Sequence, residues 1–236
     1  MPKWVGHTSV VLAIDEVPSA YVSSPTYLEE LLRRFAGVKL GLPLLLERGP
    51  EEVKAINRVA DRMGIMKIAD FKLADIGDVM VKSLDSIKRL GFDVAIAHAF
   101  VGVRGGLEVL VSRARDLGVK VALLVSMSHE GSKEFYDRNL REFLYIAKNL
   151  GVWGVVAPAT RPHVIRESRS VLGNAFKILS PGVGVQGAEF GSAICAGADY
   201  EIVGRYVLRS PDPIRTASEV VELVARRGRE CRTSYA

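Results

Sequence analysis

Short runs of Val, Ile and Leu recur along the chain, spaced roughly 25 to 30 residues apart, close to the length of one strand–helix unit. The first four are SVVLAID from Ser9, GVKLGL from Gly37, IMKIADFK from Ile65 and DVAIAHA from Asp93. KVALLVSM from Lys120, GVWGVVAPA from Gly151, AFKILSPGV from Ala175 and YEIVGR from Tyr200 follow. Each run is nearly continuous in apolar character instead of alternating. Strands of a parallel sheet, covered on both faces, read this way.

Between the runs the spacing turns helical. SSPTYLEELLRRFAG offers Ser24 as N-cap, Pro25 at the first helical position and Gly37 as terminator, with Leu28, Leu31, Leu32 and Phe35 as its apolar stripe. GPEEVKAINRVADRMG repeats the format with Pro50, two early glutamates and Gly64 at the end. SKEFYDRNLREFLYIAKNLG and SPDPIRTASEVVELVARRG do likewise. Eight strand–helix units predict an α/β protein, a parallel (β/α)8 or TIM barrel, as a single domain over residues 1–236. An open doubly wound sheet would need a Gly-rich fingerprint after the first strand, where Ala13-Ile14-Asp15-Glu16 stands instead.

Composition narrows the class without changing the fold. Apolar residues at 48% and charged residues at 25% of 236 describe an ordinary globular chain and exclude disorder, collagen and a disulfide scaffold. The N-terminus lacks a long apolar h-region, and Asp15 interrupts its apolar run, so neither a signal peptide nor a membrane span is expected. A cytoplasmic location follows as the expectation, with free thiols at Cys195 and Cys231 as the simplest reading, although intracellular disulfides do occur in some hyperthermophiles. The net charge of +5 is partly local, since ARRGRECRTSYA holds four arginines against one glutamate. That segment, from about residue 226, reads as a frayed basic tail. No basic stripe interleaved with aromatics marks a nucleic-acid surface.

In a barrel of this kind the chemistry lies at the C-terminal strand ends. Strand one ends in Asp15, strand two carries Lys39, and strand three ends in Asp70 and Lys72. Strand four ends in His98, and strand five in Ser126, Ser128 and His129. Singly, these have bland explanations. Asp75 and Asp78 fit a helix cap, His98 fits a hydrogen-bonded core histidine, and Met127 and Trp153 fit packing. Together, two aspartates and two lysines converge on one rim, and buried charges must be paired to survive there. Such costly clusters usually serve chemistry.

The opposite rim reads as an anion site. SPGVGVQGAEFG follows the seventh strand and VGR ends the eighth, the usual phosphate position of the fold. Backbone amides of the Gly-rich loop, Gln186 and Arg205 suit a phosphate dianion. The expected ligand is a small phosphate ester spanning the mouth.

These residues resemble the orotidine 5'-monophosphate decarboxylase family in its short archaeal form. The likeness rests on D-x-K-x-x-D at Asp70, Lys72 and Asp75 within IADFKLADI, and on AID, VKLGLPL, MSHEG, SPGVGVQGAEFG and IVGR, in family order. The resemblance implies decarboxylation of orotidine 5'-monophosphate to UMP and carbon dioxide, in pyrimidine biosynthesis, with no metal and no organic cofactor. It implies that Lys72 protonates C6, that Asp70 lies against the substrate carboxylate, and that Asp15 and Lys39 hold ribose hydroxyls and complete the charge network. Asp75, with Ile76, would reach across a homodimer interface into the neighbour's site. Ser128 would contact the pyrimidine. The loop from Pro181 through Gly182, Val183, Gly184 and Gln186 to Gly191 would close over the phosphate with Gly204 and Arg205. The family often has Pro and then Thr or Asn after D-I. Gly77, Asp78, Val79 and Met80 stand here, so that hydroxyl or amide contact is missing.

Two other readings make different demands. Sugar-phosphate enzymes sharing the D-x-K-x-x-D strand use Mg²⁺ and need an acidic ligand late in strand two, where this chain has Lys39. A non-catalytic barrel binding RNA through its basic surface gives no reason for aspartates in the groove, since acids repel phosphates.

Overall fold

A computed structural model describes residues 8–16 and 24–233, with side chains to Cys231. The segment read above for a leader lies, as far as residue 7, outside the described residues. Eight strands form on the eight apolar runs, although the sixth begins three residues into its run and the fifth stops three residues short of the end of its own. They are β1 (Val10–Ile14), β2 (Gly37–Gly41), β3 (Met66–Leu73), β4 (Val94–His98), β5 (Lys120–Leu124), β6 (Gly154–Val156), β7 (Lys177–Pro181) and β8 (Tyr200–Val203). All neighbours pair in parallel in sequence order, and β8 returns to β1, closing the predicted (β/α)8 barrel.

Helices cover the outside. In chain order they are α1 (Pro25–Leu32), α2 (Leu42–Arg62), α3 (Gly77–Arg89), α4 (Glu108–Leu117) and the short α5 (Ser132–Phe135). Then come α6 (Leu140–Leu150), α7 (Pro162–Leu172), the short α8 (Ser192–Ala196) and α9 (Arg205–Leu208), and finally α10 (Pro213–Thr233). Among the described residues no helix is long and apolar enough to cross a membrane.

The period-2 geometry of strands sorts the core into two parts. Val11, Met66, Ile68, Val94, Ile96, Ala122, Leu124, Val156, Leu179 and Ile202 meet inside the barrel. The alternate positions, such as Val10, Leu12, Val38 and Leu40, pack outward against the helices. Both layers are almost wholly buried, which explains why the runs show no alternation.

The helix reading needs correction at several points, and SKEFYDRNLREFLYIAKNLG, read as one helix, divides into α5, a 3-10 turn at Asp137–Asn139 and α6. Ser24 does accept from Tyr27 N, at 3.3 Å, with Pro25 at the first position, but α1 stops at Leu32 and Gly37 instead opens β2. A helical piece that the reading lacks runs from Leu42, and Gly49, whose φ of 79° is non-helical, makes the kink that parts it from the predicted piece beginning at Pro50. The basic segment from residue 226 is helical to Thr233, as the last two turns of α10.

The free-thiol expectation is also overturned. Cys195 on α8 and Cys231 on α10 form a disulfide. Ala217, Val220 and Val224 seat α10 on the barrel, and steps of three and four along that face arrive at Gly228 and Cys231. Helical continuation through the tail therefore brings the thiols together across 36 residues of sequence.

Candidate active site

Three strands carry their inward rows past the apolar interior and end in charge. Val11 and Ala13 lead to Asp15, Met66 and Ile68 lead to Asp70, and the inward row of β2 is Gly37, Lys39 and Gly41. Lys39 Nζ donates to Asp15 Oδ1 at 2.7 Å and to Asp70 Oδ2 at 3.0 Å. Lys72 Nζ donates to the other oxygen of Asp70 at 2.8 Å. Charges thus alternate along one chain, Asp15–Lys39–Asp70–Lys72. Gly41 makes the room, because a Cβ there would fall on the Asp15 carboxylate.

The inner pair is dry and the outer pair open. Side-chain exposure is 7% for Lys39 and 12% for Asp70, against 51% for Asp15 and 39% for Lys72. Burial opposes the charge on Lys39, yet Asp70 and Asp15 raise its pKa above the ordinary lysine value. Burial likewise opposes the Asp70 carboxylate, and Lys39 and Lys72 hold it below the usual carboxylate range.

Lys72 stands on unusual backbone. Its φ of 48° makes it the one non-glycine residue with positive φ among the described residues, at a point where the β3–β4 register shifts between Ala69 and Leu73. A side chain in the left-handed region costs about 1–2 kcal/mol. The irregularity turns Lys72 into the barrel mouth.

A cavity of about 590 Å³ opens there. The Asp/Lys chain forms one wall, and Pro181, Gly182, Val183, Gln186, Gly204 and Arg205 form the opposite wall. Ser128 lies on the rim between, and Ile96, Leu124, Val156 and Ile202 supply an apolar floor. One wall presents an ammonium and a paired carboxylate, the other offers donors suited to an anion. Among the described residues no group of three or more His, Cys, Asp or Glu is placed to hold a metal ion.

Comparison with known proteins places the sequence and the fold. The model of the orotidine 5'-phosphate decarboxylase / HUMPS family matches residues 11–220. The chain belongs to this family. An orotidine 5'-phosphate decarboxylase from Aeropyrum pernix is 49% identical over 193 residues, covering 81% of this chain and 78% of the relative. One from Methanosarcina mazei is 34% identical over 217 residues, covering 92% and 94%. The crystal structure of orotidine 5'-monophosphate decarboxylase from Sulfolobus solfataricus superposes with a TM-score of 0.82 at 30% identity, covering 93% of this chain and 99% of that one. The Methanocaldococcus jannaschii enzyme, complexed with the inhibitor BMP, gives 0.81 at 29% identity, covering 92% and 99%.

Most of the family motif positions converge, and three do not. Asp75 and Ile76 are exposed and lie outside the cavity lining. Asp75 Oδ1 accepts from Ile76 N at 2.7 Å, while α3 starts at Gly77 with Ile76 as its N-cap and no side-chain cap, so the capping explanation fails. Gly184 also turns from the lining toward Phe190 and Tyr206. His98 behaves as a bonded histidine: its Nδ1 pairs with the Tyr136 hydroxyl, and burial, helped by Lys72, lowers its pKa.

Glu16, Arg209, Asp137 and Arg161 escaped the sequence reading, while Ser126 and His129, named there at the end of strand five, turn out to bond to two of them. Glu16 and Arg209 pair at 2.6 Å on the lining, beside Arg205. Arg161, buried, donates from Nη1 to both oxygens of Asp137 at 2.9 and 2.8 Å and from Nη2 to the His129 carbonyl at 2.8 Å. Ser126 Oγ donates to the same carboxylate at 2.9 Å. This network fixes the turn carrying Ser128. Asp137 and Arg161 lie 11 and 35 positions beyond Ser126, and no local spacing ties them to it.

Proposed function

We propose that the protein decarboxylates orotidine 5'-monophosphate to UMP and carbon dioxide. The observation carrying this reading is the Asp15–Lys39–Asp70–Lys72 chain, placed across one cavity from a Gly-rich loop and Arg205. Loop 181–186 and Arg205 would hold the 5'-phosphate, Asp15 and Lys39 the ribose hydroxyls, and Ser128 the pyrimidine.

In the reaction the bond from C6 to the carboxylate breaks, carbon dioxide leaves, and the electron pair stays on C6. The ring delocalises that pair poorly, so the barrier is high. The Lys72 ammonium is a preorganised charge beside the developing carbanion, and its proton moves to C6. UMP and a neutral amine remain, and solvent reprotonates the amine. Asp70, bonded to both lysines, fixes the ammonium in place and sets a second negative charge near the substrate carboxylate. Contacts to phosphate and ribose contribute remote binding energy to loop closure.

The active unit in this proposal is a homodimer in the cytoplasm. Asp75 and Ile76, outside their own cavity, enter the partner's site. Ile76 is 65% exposed and Val79 and Phe100 are also exposed, an apolar setting for that contact. Gly77, Asp78, Val79 and Met80 stand where the resemblance expects Pro and then Thr or Asn, so that hydroxyl or amide contact is missing from the proposed shared site. No metal or organic cofactor is required, because Lys72 supplies the electrophile and Lys39, already bonded to two carboxylates, cannot serve as an oxygen ligand for Mg²⁺.

The test is an ultraviolet assay of orotidine 5'-monophosphate conversion, run in parallel with EDTA and with 3-keto-L-gulonate 6-phosphate plus Mg²⁺. The proposal expects conversion of the nucleotide alone, unchanged by EDTA. Turnover of only the sugar phosphate, abolished by EDTA, would replace it with the metal-dependent reading.

A further inference from the structure

The loop from Pro181 to Gly191 lines the cavity with its first half, so whatever fixes its far foot sets how that half is presented. Three features meet at the foot. Glu201 of β8, next to the inward Ile202, points outward and is fully buried. Its Oε2 accepts from Gly191 N and its Oε1 from Ala193 N, both at 2.9 Å. Gly191 itself has a φ of 85°, and a Cβ there would lie 2.6 Å from Arg227 Cβ, so the Arg227 stem rests flush on the glycine. The Arg227 guanidinium then pairs with Glu189 Oε2 at 2.5 Å, two residues before that glycine.

Arg227 belongs to α10, and Cys231 lies one helical turn beyond it on the same side. Cys231 is bonded to Cys195, whose sulfur lies 3.7 Å from the Arg227 carbonyl oxygen. Gly191, α8, the disulfide, Arg227 and Glu189 therefore form a closed ring of covalent and ionic links. Strand β7 stands opposite β3 in the eight-stranded barrel, so this ring is remote from Lys72.

We infer that Arg227 and Glu201 are positioning residues for the phosphate-gripping loop, and that the Cys195–Cys231 bridge fixes the helix carrying Arg227. The inference rests on the phosphate reading under Proposed function. A held foot keeps the Gly182 and Val183 backbone and the Gln186 side chain near their bound arrangement, lowering the ordering cost of gripping a dianion. Releasing the foot weakens the grip and leaves the proton transfer at Lys72 alone.

The experiment measures affinity for UMP and for uridine, which lacks the phosphate, together with KM and kcat for orotidine 5'-monophosphate. Arg227→Ala should weaken UMP by roughly threefold to fivefold, the scale of one partly exposed ion pair and its packing, with uridine unchanged. KM should rise by the same factor with kcat held within about twofold. Arg227→Lys, which keeps stem and charge, should recover most of the loss, and the double variant Cys195→Ser, Cys231→Ser should shift UMP in the same direction. A lowered melting temperature with an unmoved UMP-to-uridine ratio in both Arg227→Ala and Glu189→Ala overturns the brace. A parent that binds UMP no better than uridine removes the phosphate site first, and the brace with it.

Discussion

Lys72 Nζ lies 2.8 Å from Asp70 Oδ1, and the backbone that brings it there is left-handed, with φ at 48°. Regular β3 geometry is given up to aim one amine into the cavity. Glycine relieves such a conformation and alanine does not. Lys72→Gly should therefore be more stable than Lys72→Ala by about 1 kcal/mol, reversing the usual ranking inside a strand. Urea unfolding of the two variants checks this, and equal midpoints would mean that the backbone carries no strain at Lys72.

Lys39 is buried and shared by two acids, which makes its partners unequal to their removal. Asp70→Ala leaves the ammonium buried beside the half-exposed Asp15 alone, and should cost about 3 kcal/mol. Lys39→Met removes the buried charge itself, while Asp70 keeps Lys72. It should cost clearly less. Thermal unfolding decides, and the opposite order would contradict the reading of Asp70 as the centre of the network.

The pKa shifts set a pH window. Asp70 is depressed in the folded state, so its contribution to stability is present above its unfolded value near 3.8 and is lost as pH falls through the lower folded value. Lys39 is raised, so its contribution is complete below its unfolded value near 10.5 and is lost as pH climbs through the higher folded value. Urea midpoints should thus show a plateau between these limits. Asp70→Asn should flatten the acid limb, and a parent-like acid limb in that variant would assign it to other groups.

Asp75 sits outside its own cavity, and sharing it across a dimer has a clear signature. Lys72→Ala and Asp75→Ala homodimers should each be nearly inactive. After subunit exchange, half of the dimers are mixed and one of their two sites is intact, so about a quarter of parent activity should return. Activity that stays at zero on mixing would place Asp75 in its own subunit's chemistry.

The strands and the charges were legible in the sequence for related reasons. Eight buried strands leave unbroken apolar runs, and a charge at the end of such a run has few structural explanations, so Asp15, Lys39, Asp70 and Lys72 stood out together. The Gly-rich loop was legible through its place after β7. Contacts between distant outer elements were not. The Cys195–Cys231 bridge depends on α10 continuing through a segment whose arginines suggested fraying, and Arg161, Asp137 and Ser126 meet only after β5 and β6 are side by side. The first piece of α2, from Leu42, went unread because Gly49-Pro50 marks the beginning of the second piece, beyond the kink. The left-handed turn at Lys72 also left no mark, because lysine is not a residue that announces positive φ.

The central claim is that the Lys72 ammonium, held by Asp70, delivers the proton to C6. Its most direct test is the rate of orotidine 5'-monophosphate conversion by the parent and by Lys72→Ala, with circular dichroism confirming that the variant is folded. A drop of at least about a thousandfold is predicted, since both charge stabilisation and the proton donor are lost. A folded variant that keeps the parent's rate would contradict the account.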